Sequence, residues 1–195
     1  MSLPSDAELN QIGVLNRRLI EARIVAPLLK AFAAEFGAER VHEIARDVIT
    51  SIARRQGDEL AQHSGGRSLP VLHGTLDRWT ANDALTLTVH EVSDTALSFD
   101  VTRCRYAEMY RALGIEELGA ILSCNRDGAL IEGFNPDVTL RRTQTLMGGA
   151  THCDFRYVRS TTASEPVTGA LGEHHADVSS PLRASYSLAD EHDAS

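Results

Sequence analysis

Apolar positions in the first third of the chain recur at helical spacing. Over residues 12–36, Leu15, Leu19, Ile24, Leu28 and Phe32 follow one another at roughly one turn. Pro27 has no N–H to give the preceding turn, so it is predicted to kink this run or divide it in two. Gly37 is predicted to stop it. A second run over 38–62 carries Val41, Ile44, Ala45, Val48, Ile49 and Ile52 on one stripe, with Arg, Asp and Glu opposite. The two runs together predict an antiparallel helical pair, followed by a flexible turn at 64–68.

Beyond that turn the period changes. Leu85, Leu87 and Val89 alternate with threonines, and Leu97, Phe99 and Val101 alternate with Ser98, Asp100 and Thr102, which predicts two strands joined near 93–95. Helical spacing returns over 105–113 through Tyr106, Met109, Tyr110 and Leu113, and again over 116–124 with Leu118, Ile121 and Leu122 inward. Residues 138–145 and 152–159 then read as two further strands around a turn at 147–150. The order predicts an α+β domain: N-terminal helices packed on a small antiparallel sheet, with short helices between two strand pairs. That domain is expected to span 1–159. From 160 to 195 the composition shifts to Ser, Thr, Ala, Asp and His, which predicts a weakly ordered tail holding His174, His175 and His192.

Composition changes this picture in three ways. A hydrophobic share of 43% over 195 residues is enough for a core without disulfides or a structural metal. The net charge of -8, with 27 acidic against 19 basic residues and Lys30 as the single lysine, excludes a nucleic-acid binder built on clustered phosphate contacts. No stretch approaches the ~20 apolar residues that span a bilayer. The N-terminus lacks the basic-then-apolar run of a secretory signal, and the cysteine count of 3 is odd, so a cytoplasmic protein with reduced thiols is expected. A small-molecule substrate and a homo-oligomer are compatible with this composition; a membrane partner and a resident cofactor are not called for.

All three cysteines fall between Arg103 and Tyr157. Cys104 and Glu108, four apart at the start of a predicted helix, share a face with Arg111. Cys124 precedes Asp127 in a Cys-Asn-Arg-Asp-Gly turn. Strand alternation puts Cys153, Phe155 and Tyr157 on one face and His152, Asp154 and Arg156 on the other. Three uses compete for these cysteines. They could be small buried hydrophobes, or nucleophiles made reactive by Arg103, Arg105, Arg126 and Arg156 beside them. They could also be metal ligands with a carboxylate or His152, although their spacing matches no compact Cys-x-x-Cys zinc motif.

The stretch from Arg103 to Tyr157 combines a Cys-containing helix, a Leu-Gly step, a Cys-x-x-Asp turn, a Phe-x-Pro turn, an Arg-Thr strand and a closing Gly-x-x-x-Cys-Asp-Phe. In that combination it resembles the L-2-amino-thiazoline-4-carboxylic acid hydrolase-like proteins over roughly residues 100–158. The closing motif is also distantly similar to 4-vinyl-reductase-type small-ligand domains, which implies a related α+β scaffold with a ligand- or metal-holding role.

The first resemblance implies a hydrolase that opens a carbon–nitrogen bond of a small cyclic amide or amidine carrying a carboxylate. Asp127, Asp154 or Glu108 would hydrogen-bond the amidinium, and Arg141, Arg142 or Arg103 would fork the substrate carboxylate. A cysteine thiolate or a positioned water would attack, with Cys124 and Cys153 favoured over Cys104 and His152 at hand. Backbone N–H groups of Gly148 and Gly149 would face the developing charge.

Overall fold

Two long helices lead the chain, α1 (Val14–Phe36) and α2 (Ala38–His63). They are separated by Gly37 alone, whose φ of 87° lies in the left-handed half of backbone space that favours glycine. A computed structural model describes residues 9–160, and the tail expected from 160 onward, with its three histidines, lies outside these residues but for Ser160. The described residues fall in one compact unit. No helix among them is long and apolar enough to cross a membrane.

Pro27 does not divide α1, which runs unbroken through it. Pro27 and Arg23, whose carbonyl loses its helical donor, are both exposed, so water can bond that carbonyl. The predicted apolar face is also reversed. Ala22 and Ala26 are the buried positions, while Ile24, Leu28 and Phe32 are half or more exposed. On α2, Val41 and Ala45 face inward and Ile44 and Val48 outward.

Two short helices that the sequence reading missed follow, α3 (Leu69–Gly74) and α4 (Asp77–Thr80). The Ser68 hydroxyl caps α3 by accepting from the Val71 N–H. The sheet comprises β1 (Leu85–Val92), β2 (Ala96–Cys104), β3 (Val138–Arg141) and β4 (Cys153–Arg159), antiparallel throughout in the order β1-β2-β4-β3. Ser93 closes the first hairpin, with its N–H donating to the Ala96 carbonyl at 2.8 Å. Alternation holds as predicted: Leu97, Phe99 and Val101 pair with Tyr157, Phe155 and Cys153, and all six are buried. The third strand is shorter than expected, ending at Arg141 rather than 145.

Between the strand pairs lie α5 (Arg105–Ala112), α6 (Glu116–Gly119), a π-helical segment (Ala120–Cys124) and α7 (Asn125–Phe134). From Glu116 to Phe134 these form one uninterrupted helical stretch, so the expected turn around Asp127 is instead the first turn of α7. Two glycines let α7 lie against α2. A Cβ at Gly57 would stand 2.0 Å from the Leu130 carbonyl oxygen, and one at Gly133 would stand 1.8 Å from that of Arg54. No other residue allows this approach, which fixes α7 and its charged N-terminal turn against the inner helix.

Candidate functional site

A cavity of about 430 Å³ opens between the buried face of the sheet, α2, the α3–α4 corner and the start of α7. Its apolar wall includes Leu72, Leu76, Trp79, Leu85, Phe99 and Phe155. Phe99 and Phe155 stack with ring centroids 4.9 Å apart. The three cysteines come from three different junctions and all reach this cavity. Cys104 ends β2 and caps α5, its Sγ accepting from the Ala107 N–H at 3.4 Å. Cys124 closes the π-helical segment. Cys153 opens β4, its Sγ accepting from the Leu146 N–H at 3.1 Å.

Beside the thiols, the Arg142 Nη1 donates to Asp127 Oδ2 at 2.6 Å and its Nη2 to the Cys124 carbonyl at 3.0 Å. The guanidinium carbon lies 4.9 Å from the centroid of the Phe155 ring, a cation–π arrangement. Arg142 thus ties the end of the π-helical segment to the sheet and neutralises Asp127. Burial pushes the Asp127 carboxyl above its ordinary pKa, against the downward pull of Arg142. Burial also works against the charge on Arg142, but Asp127 more than offsets it and the net direction is upward.

The thiols are held protonated. Burial lifts Cys104 to about 11 and Cys124 to about 12, with Asp127 adding to the second; Cys153 rises for the same first reason. The arginines expected to favour thiolates are engaged elsewhere: Arg103 with Glu108, Arg105 with the Asn82 carbonyl, Arg126 with Gln56 and Arg156 with Asp100. Arg142 is the guanidinium that draws Cys124 and Cys153 downward, and burial outweighs it.

Of the predicted site, Cys104, Cys124, Cys153, Asp127 and Arg142 therefore meet at one cavity. The other five do not line it. Asp154 accepts from the Thr143 and Gln144 N–H groups and from the Thr143 hydroxyl at 2.7 Å. Burial raises its pKa, but these donors prevail and hold the carboxyl below its usual range, as suits a group that pins the β3–β4 connection. His152 hydrogen-bonds Gln144 at 2.7 Å on the same outer side. Arg103 and Glu108 form an exposed ion pair, and Arg141 is exposed at the end of β3. The Gly148 and Gly149 N–H groups are spent on the Thr145 and Leu146 carbonyls of their own turn.

Sequence reasoning missed Arg18, Gln56, Trp79 and Tyr106 on the cavity wall. Arg18 had a signal: it stands four residues from both Val14 and Ala22, inside the buried stripe of α1. Among the described residues no group of three or more His, Cys, Asp or Glu side chains is placed to hold a metal ion.

The chain is similar to two solved structures. One is the phenol-responsive sensory domain of the transcription activator PoxR with phenol, at 13% identity over 69% of this chain and 72% of that one, TM-score 0.45. The other is trafficking protein particle complex subunit 3 from Naegleria fowleri covalently bound to palmitic acid, at 12% identity over 76% of this chain and 98% of that one, TM-score 0.48. No curated protein matches. The family model for L-2-amino-thiazoline-4-carboxylic acid hydrolase matches residues 17–157, a span that takes in α2, α7, all of the sheet but the end of β4, and every cysteine. The chain belongs to the L-2-amino-thiazoline-4-carboxylic acid hydrolase family.

Proposed function

We propose that this protein is a hydrolase that opens a ring bond, typically carbon–nitrogen, of a small cyclic amide or amidine carrying a carboxylate. The observation that supports this most is the Asp127–Arg142 pair beside Cys124 on the wall of an otherwise largely apolar cavity. A carboxyl whose pKa is raised by burial is a better general base near neutral pH than an ordinary aspartate. Water is the nucleophile this geometry favours, because burial keeps the thiols as S–H. Water oxygen bonds to the amide or amidine carbon and its proton passes to Asp127. The ring bond breaks with its electron pair going to the leaving ring atom, which takes the proton back. For an aminothiazoline the leaving atom is sulfur, and the product is a carbamoyl-cysteine with a new thiol.

Turnover of L-2-amino-thiazoline-4-carboxylate, followed by thiol release beyond one equivalent per chain, tests this reading. Asp127→Asn is expected to lower the rate by about 100-fold or more, while Cys104→Ser, Cys124→Ser and Cys153→Ser retain most of it. Loss of activity in one serine variant alone would replace water by that thiol as nucleophile. A second reading, a non-catalytic small-ligand domain, is favoured by the uniformly raised thiols; ligand binding without turnover in wild type and Asp127→Asn alike would establish it.

A further inference from the structure

Arg142 has its carboxylate partner, so the arginine expected to hold the substrate's carboxylate is already neutralised. The opposite holds where α1 and α7 approach one another. Arg126 is 8% exposed and lines the cavity, and it hydrogen-bonds the neutral Gln56 side chain at 2.5 Å, with no ion pair among the described residues. Arg18, also 8% exposed and on the same cavity, shares Glu21 with Arg17. Tyr106, 6% exposed, lines the cavity as well, and its hydroxyl is a buried polar atom with no hydrogen-bond partner among the described residues. Arg18 lies close enough to act electrostatically on both Tyr106 and Arg126, and burial with this neighbour brings Arg126 down to about 10. A buried guanidinium bonded to a neutral amide, with Arg18 as an electrostatic neighbour of both it and an unpaired buried hydroxyl, costs free energy that a bound anion would offset.

We propose that Arg126, Arg18 and the Tyr106 hydroxyl form an anion-binding end of the cavity, and that its ligand is an organic carboxylate whose apolar body lies along Leu72, Leu76, Trp79, Leu85 and Phe99. The Tyr106 O–H donates to one carboxylate oxygen and Arg126 forks the other side. A cavity of about 430 Å³ with this wall suits a ligand larger and more apolar than an unsubstituted five-membered ring. The inference rests on the cavity being the ligand site of the proposed hydrolase, but not on hydrolysis itself.

Calorimetric titration of the full chain with 4-phenylbutyrate and its neutral amide, 4-phenylbutyramide, tests it without turnover. The carboxylate is expected to bind at least about 10-fold more tightly than the amide. Arg126→Met should weaken the carboxylate by about 30-fold while sparing the amide. Tyr106→Phe should weaken it by about five-fold while leaving the melting temperature of the unliganded protein unchanged or higher, since it removes an unsatisfied group. Equal binding of acid and amide, no binding of either, or unaltered carboxylate affinity in Tyr106→Phe would overturn the proposal. Failure of hydrolysis in Asp127→Asn alongside intact carboxylate binding leaves this end of the cavity standing, so the two readings fail separately.

On α1, Ile20, Ile24, Leu28, Phe32 and Phe36 are 50–67% exposed at strict four-residue spacing, and Ile44 and Val48 on α2 are 47% and 46% exposed. With Ala22 and Ala26 buried on its other side, α1 gives small residues to its own fold and a row of large apolar side chains to its surface. Phe32 and Phe36 already touch, with ring centroids 6.3 Å apart, so the stripe is continuous. The seven side chains expose on the order of 700 Å², close to the ~800 Å² that each partner gives a standard interface. A four-residue ridge packs into the grooves of its own copy, and a two-fold contact needs only one self-complementary patch. The geometry points to a second copy of this chain on the α1–α2 face. Sedimentation of the full chain at 100 µM should give a dimer, and Leu28→Glu a monomer that keeps its helical circular dichroism. A wild-type monomer, or a dimer that survives Leu28→Glu, would overturn it.

Discussion

Two arginines on the cavity wall hold the same kind of charge in different circumstances. Arg142 is bonded to Asp127 and to the Cys124 carbonyl, and its guanidinium covers Phe155. Arg126 is bonded to an uncharged amide, on a wall where the Tyr106 hydroxyl bonds nothing among the described residues. A buried cation paired with a carboxylate belongs to the scaffold, and one bonded only to a neutral amide is the better candidate for an anionic ligand. On the proposal above, Arg126 rather than Arg142 meets the carboxylate.

The severest way to break this contrast is to move Asp127 and Arg126 together. Gly133→Ala pushes a Cβ to 1.8 Å from the Arg54 carbonyl oxygen and must separate α7 from α2. Urea denaturation is expected to show a loss of about 4 kcal/mol or a failure to fold. Next, Arg142→Met leaves a partly exposed Asp127 carboxylate without its cation, which should cost about 2 kcal/mol. Arg126→Met strands no charge and should cost less than about 1 kcal/mol. Equal losses in these two variants would erase the distinction.

Smaller effects come from the thiols. Cys104 titrates near 9.0 when exposed and at about 11 in the fold, so the fold favours its protonated form. Its contribution is complete below pH 9 and is lost as pH rises through about 11. Its share of stability should fall by about 2 kcal/mol over that window, and Cys104→Ser should flatten the slope by that amount. The smallest signal is kinetic: at pH 7.5, iodoacetamide should label these thiols at least about 100-fold more slowly than free cysteine.

Much of the sheet was legible because its two faces differ so sharply in polarity. Leu97, Phe99 and Val101 against Cys153, Phe155 and Tyr157 admit one register with both sets buried. The same alternation already set Asp154 and His152 on the outer face, where the structure finds them bonded to the β3–β4 connection. α7 was illegible because Asn125, Gly128 and Gly133 are turn-type residues, and Gly133 is there for helix contact rather than chain reversal. On α1 the large side chains misled. Its neighbours within the chain take alanines, and the large Ile, Leu and Phe stand exposed. Asp127 was found by nearness to Cys124 in sequence, whereas Arg18, Tyr106 and Arg126 come to one cavity wall only after three separate elements converge.

The π-helical turn at Ala120–Cys124 has a consequence for how this site can change. A π-turn accommodates one residue more than the α-helix it interrupts. Deleting a single residue there lets the helix close as regular α, with Leu118 before it and α7 after it still facing as they do now. In a regular α-turn the same deletion rotates everything beyond it by about 100°. The turn is thus the place in the 116–134 stretch where the chain can shorten by one residue with Arg126 and Asp127 kept on the cavity.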